Sequence, residues 1–165
     1  MAQGSLSEIR LDEEIWRSGS PERRLEWRAA IDEILQEGKF EFAGEVTGAK
    51  AVLTVRKTEI LLAMSAHGSE PTTCTLALDQ LGPYLTDYID TCLEMTRLSV
   101  GTRSPRLEAL DIAKRLVHDE AGETVRSMVK SPRPDHATAR RLFTLIVTLI
   151  YDTTRLTARP HLRPT

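Results

Sequence analysis

The chain has 165 residues, 41% hydrophobic and 28% charged, a balance that suits one globular unit burying roughly 70% of its unfolded surface and excludes collagenous or disordered classes. Its two Trp, three Tyr and three Phe are needed inside first, which argues against an aromatic surface for single-stranded nucleic acid. The net charge of −2 hides an asymmetry, with 10 Lys and Arg against 17 Asp and Glu in residues 1–100 and 12 against 7 in residues 101–165, read as pairing inside the fold rather than as a nucleic-acid surface.

In chain order, "SEIRLDEEI" predicts a short edge strand. Ser20 as N-cap, Pro21 at the first helical position and Gly38 as terminator predict a helix over 21–37, with Trp27, Ile31, Ile34 and Leu35 on one face. "KFEFAGEV", "AVLTVRK", "EILLAMSA" and "TCTLAL" predict an antiparallel meander of three to four strands, separated by Thr47-Gly48, Lys57-Thr58 and "HGSEPT". Alternation places Ala51, Leu53 and Val55 on one side and Val52 and Thr54 on the other, which suits a sheet covered on one face and partly wet on the other.

The period then becomes helical. A helix from about Pro83 to Leu98 carries Leu81, Leu85, Tyr88, Ile89, Cys92 and Met95 as its stripe, and "SVGTRSP" breaks it. Ser104-Pro105 starts a second helix reaching at least His118, with a further piece to about Lys130 and Gly122 as kink or separator. Asp135 caps the last helix, "HATARRLFTLIVTLIYDTTRL", whose apolar residues cover most of its circumference. That pattern makes it the central helix, or else half of a homodimer seam. The expected fold class is α+β: an N-terminal helix, a small antiparallel β-meander and a C-terminal bundle of three to four helices, in one domain over residues 1–157 with a disordered tail over 158–165.

Cys74 and Cys92 lack Cys-x-x-Cys spacing, and the first residues carry no signal-peptide pattern, which predicts a reducing, cytoplasmic setting with both thiols as small buried hydrophobes. The longest apolar run, "LFTLIVTLIY", is too short to cross a bilayer, so no membrane partner is expected.

The polar residues that need explaining lie in "RLVHDEAG". On a helical wheel, Ala109, Leu110, Ile112, Ala113, Leu116 and Val117 gather on one side, read as buried. Glu108, Asp111, Arg115, His118 and Asp119 gather opposite, read as solvated, with Asp111 and Arg115 as an i,i+4 pair and His118 one turn on. Glu120 falls within the apolar arc. A buried carboxylate there requires a partner, and Arg140 or Arg141 is the expected one. The functional version of this corner leaves the two arginines free to bind phosphate or carboxylate.

His67, His136 and His161 are scattered, and neither a His-Glu-x-x-His step nor a Cys/His cluster occurs. No metal or other cofactor is therefore expected. Gly-x-Ser-x-Gly and a phosphate-cradling glycine loop are likewise missing, so no catalytic residue is assigned.

"SPRLEALDIAKRLVHDEAGE", followed by "DHATARRLFTLIVTL", resembles the C-terminal half of uncharacterised protein family 0262, short bacterial proteins found mainly in alphaproteobacteria. The shared features are the Ser-Pro start, the Glu-Ala-Leu-Asp turn, the His-x-Glu step through His118 and Glu120, and the block Ala139 to Leu145. The helix from Ser20 and "LQEGKF" resemble its N-terminal part. The family pattern has Asn-Glu-Gly after the histidine where this chain has Asp-Glu-Ala-Gly, which keeps Glu120 and argues against a special role for Asp119. The resemblance implies no activity. The expected function is a cytoplasmic, non-enzymatic regulatory or adaptor domain with an unknown protein partner, or as a homodimer. The alternative is a small ligand-binding protein or enzyme that holds an anionic metabolite on Arg140 and Arg141, with His118 or Glu120 as acid or base.

Overall fold

The computed structural model describes residues 1–98 and 104–157, without the side chains of Arg155 and Thr157; the predicted break after Leu98 and the predicted tail 158–165 lie outside the described residues. The chain opens with β1 (Ala2–Gly4), β2 (Glu8–Leu11) and a short α1 (Glu13–Ser18). Asp12 explains why α1 starts where it does. One carboxylate oxygen accepts from Ile15 N at 3.0 Å, capping the helix, and the other accepts from Val55 N at 3.0 Å, tying that cap to the sheet.

α2 (Pro21–Glu37) has the predicted limits. Ser20 Oγ accepts from Arg23 N at 3.1 Å, and Gly38 N donates to Ile34 O at 2.7 Å. Trp27, Ile31 and Ile34 are its buried residues.

β3 (Phe40–Phe42) follows, then β4 (Thr47–Val55), β5 (Glu59–His67) and β6 (Ser69–Ala77). β4, β5 and β6 form the antiparallel meander, and β2 adds to β4 as a parallel edge strand with Ile9 opposite Ala51. The predicted separator "HGSEPT" shrinks to a tight turn at Gly68, whose φ of 92° suits glycine. The sheet is two-sided as its alternation predicts. Ala51, Leu53, Ile60 and Leu62 are buried, whereas Val52 on the opposite face is exposed.

α3 (Leu78–Leu98) begins directly after β6, earlier than the predicted start at Pro83, and α4 (Pro105–Met128) runs through Gly122 without a break. β7 (Arg133–Pro134), α5 (His136–Ile150) and the single turn α6 (Thr154–Thr157) complete the chain. β7 and β1 flank β3 in a second, three-stranded sheet, so "KFEF" lies outside the meander. Both of its phenylalanines are buried.

α5 lies against α2 and α4, and α3 packs on α4, while α2, α3 and α4 touch β2, β5 and β6 respectively. Leu142, Phe143, Leu145, Ile146, Val147 and Leu149 of α5 are all buried. Each such side chain contributes about 1.5–3 kcal/mol on removal from water, which makes α5 the axis of the core. Its C-terminus is held by α2: Arg23 Nη2 donates to Thr148 O and Leu149 O at 3.1 and 3.2 Å, and Trp27 Nε1 donates to Thr148 O at 2.8 Å. These bonds satisfy carbonyls that a helix end leaves free, and they put a cation at the negative end of the dipole. α5 therefore stops at Ile150, short of the predicted limit. Among the described residues no helix is long and apolar enough to cross a membrane.

Candidate functional site

The α4–α5 crossing holds the polar residues singled out above. It is close because Gly122 has no side chain: a Cβ built there would lie 2.7 Å from Arg140 Cγ. One turn before Gly122, His118 enters the contact. Its Nε2 lies 2.9 Å from Arg140 O and 2.9 Å from Thr144 Oγ1, while its Nδ1 receives Arg140 Nη2 at 3.1 Å. A carbonyl only accepts and a guanidinium only donates, so Nε2 carries the hydrogen and Nδ1 the lone pair. The rings of Tyr88 and Phe143 enclose the imidazole at centroid distances of 5.7 and 5.8 Å.

Burial and then the Arg140 charge disfavour the imidazolium, so the His118 pKa lies below its ordinary value of 6.5. The unfolded chain accordingly takes up this proton at higher pH than the folded one. The His118 contribution to stability is complete above pH 6.5, falls as acid is added below that, and levels off once the folded histidine also titrates. Denaturant titrations at about pH 7.5 and about pH 5.5 measure this. His118→Gln is expected to flatten that part of the acid limb; equal pH slopes in variant and parent would refute the buried neutral imidazole.

The carboxylate that meets Arg140 is Asp119, with Oδ1 3.1 Å from Nε in an ion pair rather than an aligned hydrogen bond. His136 extends the cluster, with Nε2 3.5 Å from Asp119 and Nδ1 2.7 Å from Glu123. Arg141 turns the other way, to Glu33 of α2 at 3.3 Å. The expected Glu120–arginine pair is thus corrected: Glu120 is exposed, and its neighbour Asp119 occupies the place assigned to it. Asp111 and Arg115 pair with each other at 2.7 Å along α4, as predicted. Of the expected corner, the structure joins His118 to Arg140 and leaves Glu120, Arg141, Asp111 and Arg115 outside that contact.

The wheel reading of α4 is also corrected. Ala121, Gly122 and Val125 are its buried residues and His118 is half-buried, whereas Ile112 and Leu116 are 58% and 57% exposed. The face turned inward is the one on which glycine and alanine permit close approach, and the histidine on it has hydrogen-bond partners at both nitrogens. Counting apolar residues selects the opposite face. Chemically, His118 offers neither a free lone pair nor a free proton, and the Arg140 guanidinium is turned to His118 and the Asp119 carboxylate. The corner holds two helices in register.

Beside it lies an open groove of about 520 Å³ between α2, α3, α5 and α6, with Tyr88, Cys92, Met95 and Val147 among its walls and Lys114 entering from α4. The Lys114 ammonium lies 5.7 Å from the Tyr88 ring centroid. Burial pushes the Tyr88 phenol up to about 12 and raises the Cys92 thiol, so both are neutral near pH 7. Sequence reasoning placed Tyr88 and Cys92 in a core stripe and passed over Lys114. A lysine on the inward side of an amphipathic helix is a weak signal until that side is known. Among the described residues no group of three His, Cys, Asp or Glu could hold a metal ion.

Fold and site together define an α+β protein whose polar cluster braces a helical layer containing an open groove. The chain belongs to the uncharacterised protein family UPF0262, whose model matches residues 3–152. It is 32% identical over 147 residues to the UPF0262 protein of Methylobacterium radiotolerans, covering 87% of this chain and 91% of that one. Similarity to the Hyphomonas neptunium member is 30% identity over 155 residues, covering 90% and 94% of the two chains. The Brucella anthropi member is 29% identical over 148 residues, with 87% and 92% covered. No solved structure matches the chain.

Proposed function

We propose that this protein is a non-catalytic interaction module, an adaptor that docks a helix of a partner protein on the outward face of α4. The observation that carries this reading is the inversion of α4: Ile112 and Leu116, one turn apart, are more than half exposed, with the exposed Ala109 extending the strip. Leaving two large aliphatic side chains wet forgoes about 1.5–3 kcal/mol for each that could be buried, and a partner helix with apolar residues at i and i+4 spacing would recover it. The engaged state of His118 and Arg140 supports a role other than catalysis. The anion reading through Arg140 and Arg141 loses its basis, because both guanidiniums face carboxylates.

The test combines Ile112→Asp and Leu116→Asp with a photo-crosslinking residue at 116. The two substitutions are expected to shift stability by no more than about 0.5 kcal/mol each, as surface changes do. The crosslinker should trap one defined protein in the native cell, and the adduct should vanish with Ile112→Asp. A large drop in melting temperature would make the strip part of the core, and an adduct no stronger than that from exposed Lys57 would remove the docking face. An adduct of twice the chain mass would make the partner a second copy.

A further inference from the structure

The groove bounded by α2, α3, α5 and α6 lies on the other side of α4 from the proposed docking strip and is independent of it. Its walls combine an apolar lining with one lysine ammonium. Cys92, Met95, Val147 and Leu156 supply apolar surface from three helices. Thr144 and Thr148 also line it, but their hydroxyls donate to carbonyls of their own helix, Arg140 O at 3.2 Å and Leu145 O at 2.7 Å. They add little polar demand.

The charged groups in the groove are Lys114 on one wall and Glu26 and Glu33 on α2. Glu33 is taken by Arg141, and Glu26 accepts a hydrogen bond from Thr153. Among the described residues no carboxylate lies within ion-pair distance of Lys114, whose ammonium lies over the face of the Tyr88 ring. Tyr88 and Cys92 are neutral near pH 7 and supply no anion. An ammonium partly withdrawn from water beside an apolar groove is a place where an incoming anion gains more than it would at an open surface.

We propose that the groove binds a small amphipathic monocarboxylate, an acyl or arylalkyl acid whose carboxylate accepts hydrogen bonds from Lys114 and whose apolar body lies against Cys92, Met95, Val147 and Leu156. A volume of about 520 Å³ falls within the range of sites that hold one small molecule. The two α2 carboxylates repel a second negative charge, so the site selects a monoanion over a phosphate or a dicarboxylate. The complementarity is one cation for one anion, with the remaining contact apolar.

The probe is decanoate, titrated calorimetrically into the full chain below its micelle-forming concentration, with decanol as the uncharged comparison. Wild type is expected to bind decanoate saturably at one site, with a negative heat-capacity change from apolar burial. Lys114→Met keeps most of the aliphatic stem and should weaken decanoate about tenfold, the loss of one charge-assisted contact, while leaving decanol affinity unchanged. Ala29→Trp, at an exposed position on the groove wall, should fill the space and abolish both. Decanoate should also slow maleimide labelling of Cys92 and leave Cys74 unaffected. Thermal melts establish that each variant is folded. Absence of saturable binding to wild type overturns the proposal. So does decanoate affinity unchanged by Lys114→Met, or binding that survives Ala29→Trp.

Discussion

Trp27→Ala is expected to destabilise the protein by about 3–5 kcal/mol, the range for deleting a large buried aromatic side chain. For a chain of this size that corresponds to a fall in melting temperature of roughly 6–20 °C. Trp27 is completely buried, and its indole lies so close to the backbone that a Cβ on Gly19 would meet ring atom Cζ3 at 2.4 Å. Its N–H donates to Thr148 O, and the Arg23 guanidinium lies 5.0 Å from its ring centroid. The residue therefore docks α2 on the C-terminus of α5 and fills the joint between them. Trp27→Phe separates these roles. Thr148 O would keep its bond from Arg23 Nη2 at 3.1 Å, so the loss should be confined to about 1–2 kcal/mol of packing and hydrogen bonding. Equilibrium unfolding in urea measures both, and an alanine variant within about 1 kcal/mol of wild type would mean that the α2–α5 joint contributes little to the core.

Gly122→Val should cost about 1–3 kcal/mol, through overpacking rather than lost contacts. The added Cβ alone would sit 2.7 Å from Arg140 Cγ, and Arg140 N and Cα at 3.4 and 3.5 Å limit any sideways escape. Displacing the Arg140 side chain would also disturb its bonds to His118 and Asp119. Gly122→Ala should fall between valine and wild type, because the gain in helix propensity of about 1 kcal/mol offsets part of the clash. A double-mutant cycle with Arg140→Ala gives the sharper measurement. Steric conflict predicts a coupling of at least about 1 kcal/mol, since truncating Arg140 makes room for the new methyls. Additive effects would mean that the cost does not arise from contact with the Arg140 side chain. Glu120→Ala, exposed and two positions away, is the control and should be near neutral.

Much of the element order was legible because its signals are local. Ser20, Ser104 and Asp135 each cap a helix through a side-chain oxygen that accepts from the backbone three residues later, a geometry that needs no knowledge of the rest of the fold. Alternation in β4 correctly separated Ala51 and Leu53 from Val52, since a strand has only two faces. The strand at "KFEF" was recognisable, but its partners were not. β1 and β7 come from distant parts of the sequence, and pairing between remote strands leaves no mark in the local pattern.

The candidate corner was half legible. His118 and Arg140 were singled out, and they meet; Glu120 was chosen over Asp119 because a hydrophobic count put the buried side of α4 where Ile112 and Leu116 lie. An amphipathic pattern gives an axis of asymmetry, but in α4 steric access decides which side faces the core. Gly122, read from sequence as a kink or a separator, is what lets α5 approach.

The sequence by itself determined the caps, the change of period after the meander and the largely apolar circumference of α5, because these depend on backbone hydrogen bonds within a turn and on the quantity of apolar surface. The tertiary structure decided that α4 turns His118 inward, that Asp119 rather than Glu120 meets Arg140, and that Lys114 borders an apolar groove. The reason is physical: the cost of burying a polar side chain depends on which groups across the interface answer it. Those groups are supplied by chain segments that come together only in the folded protein.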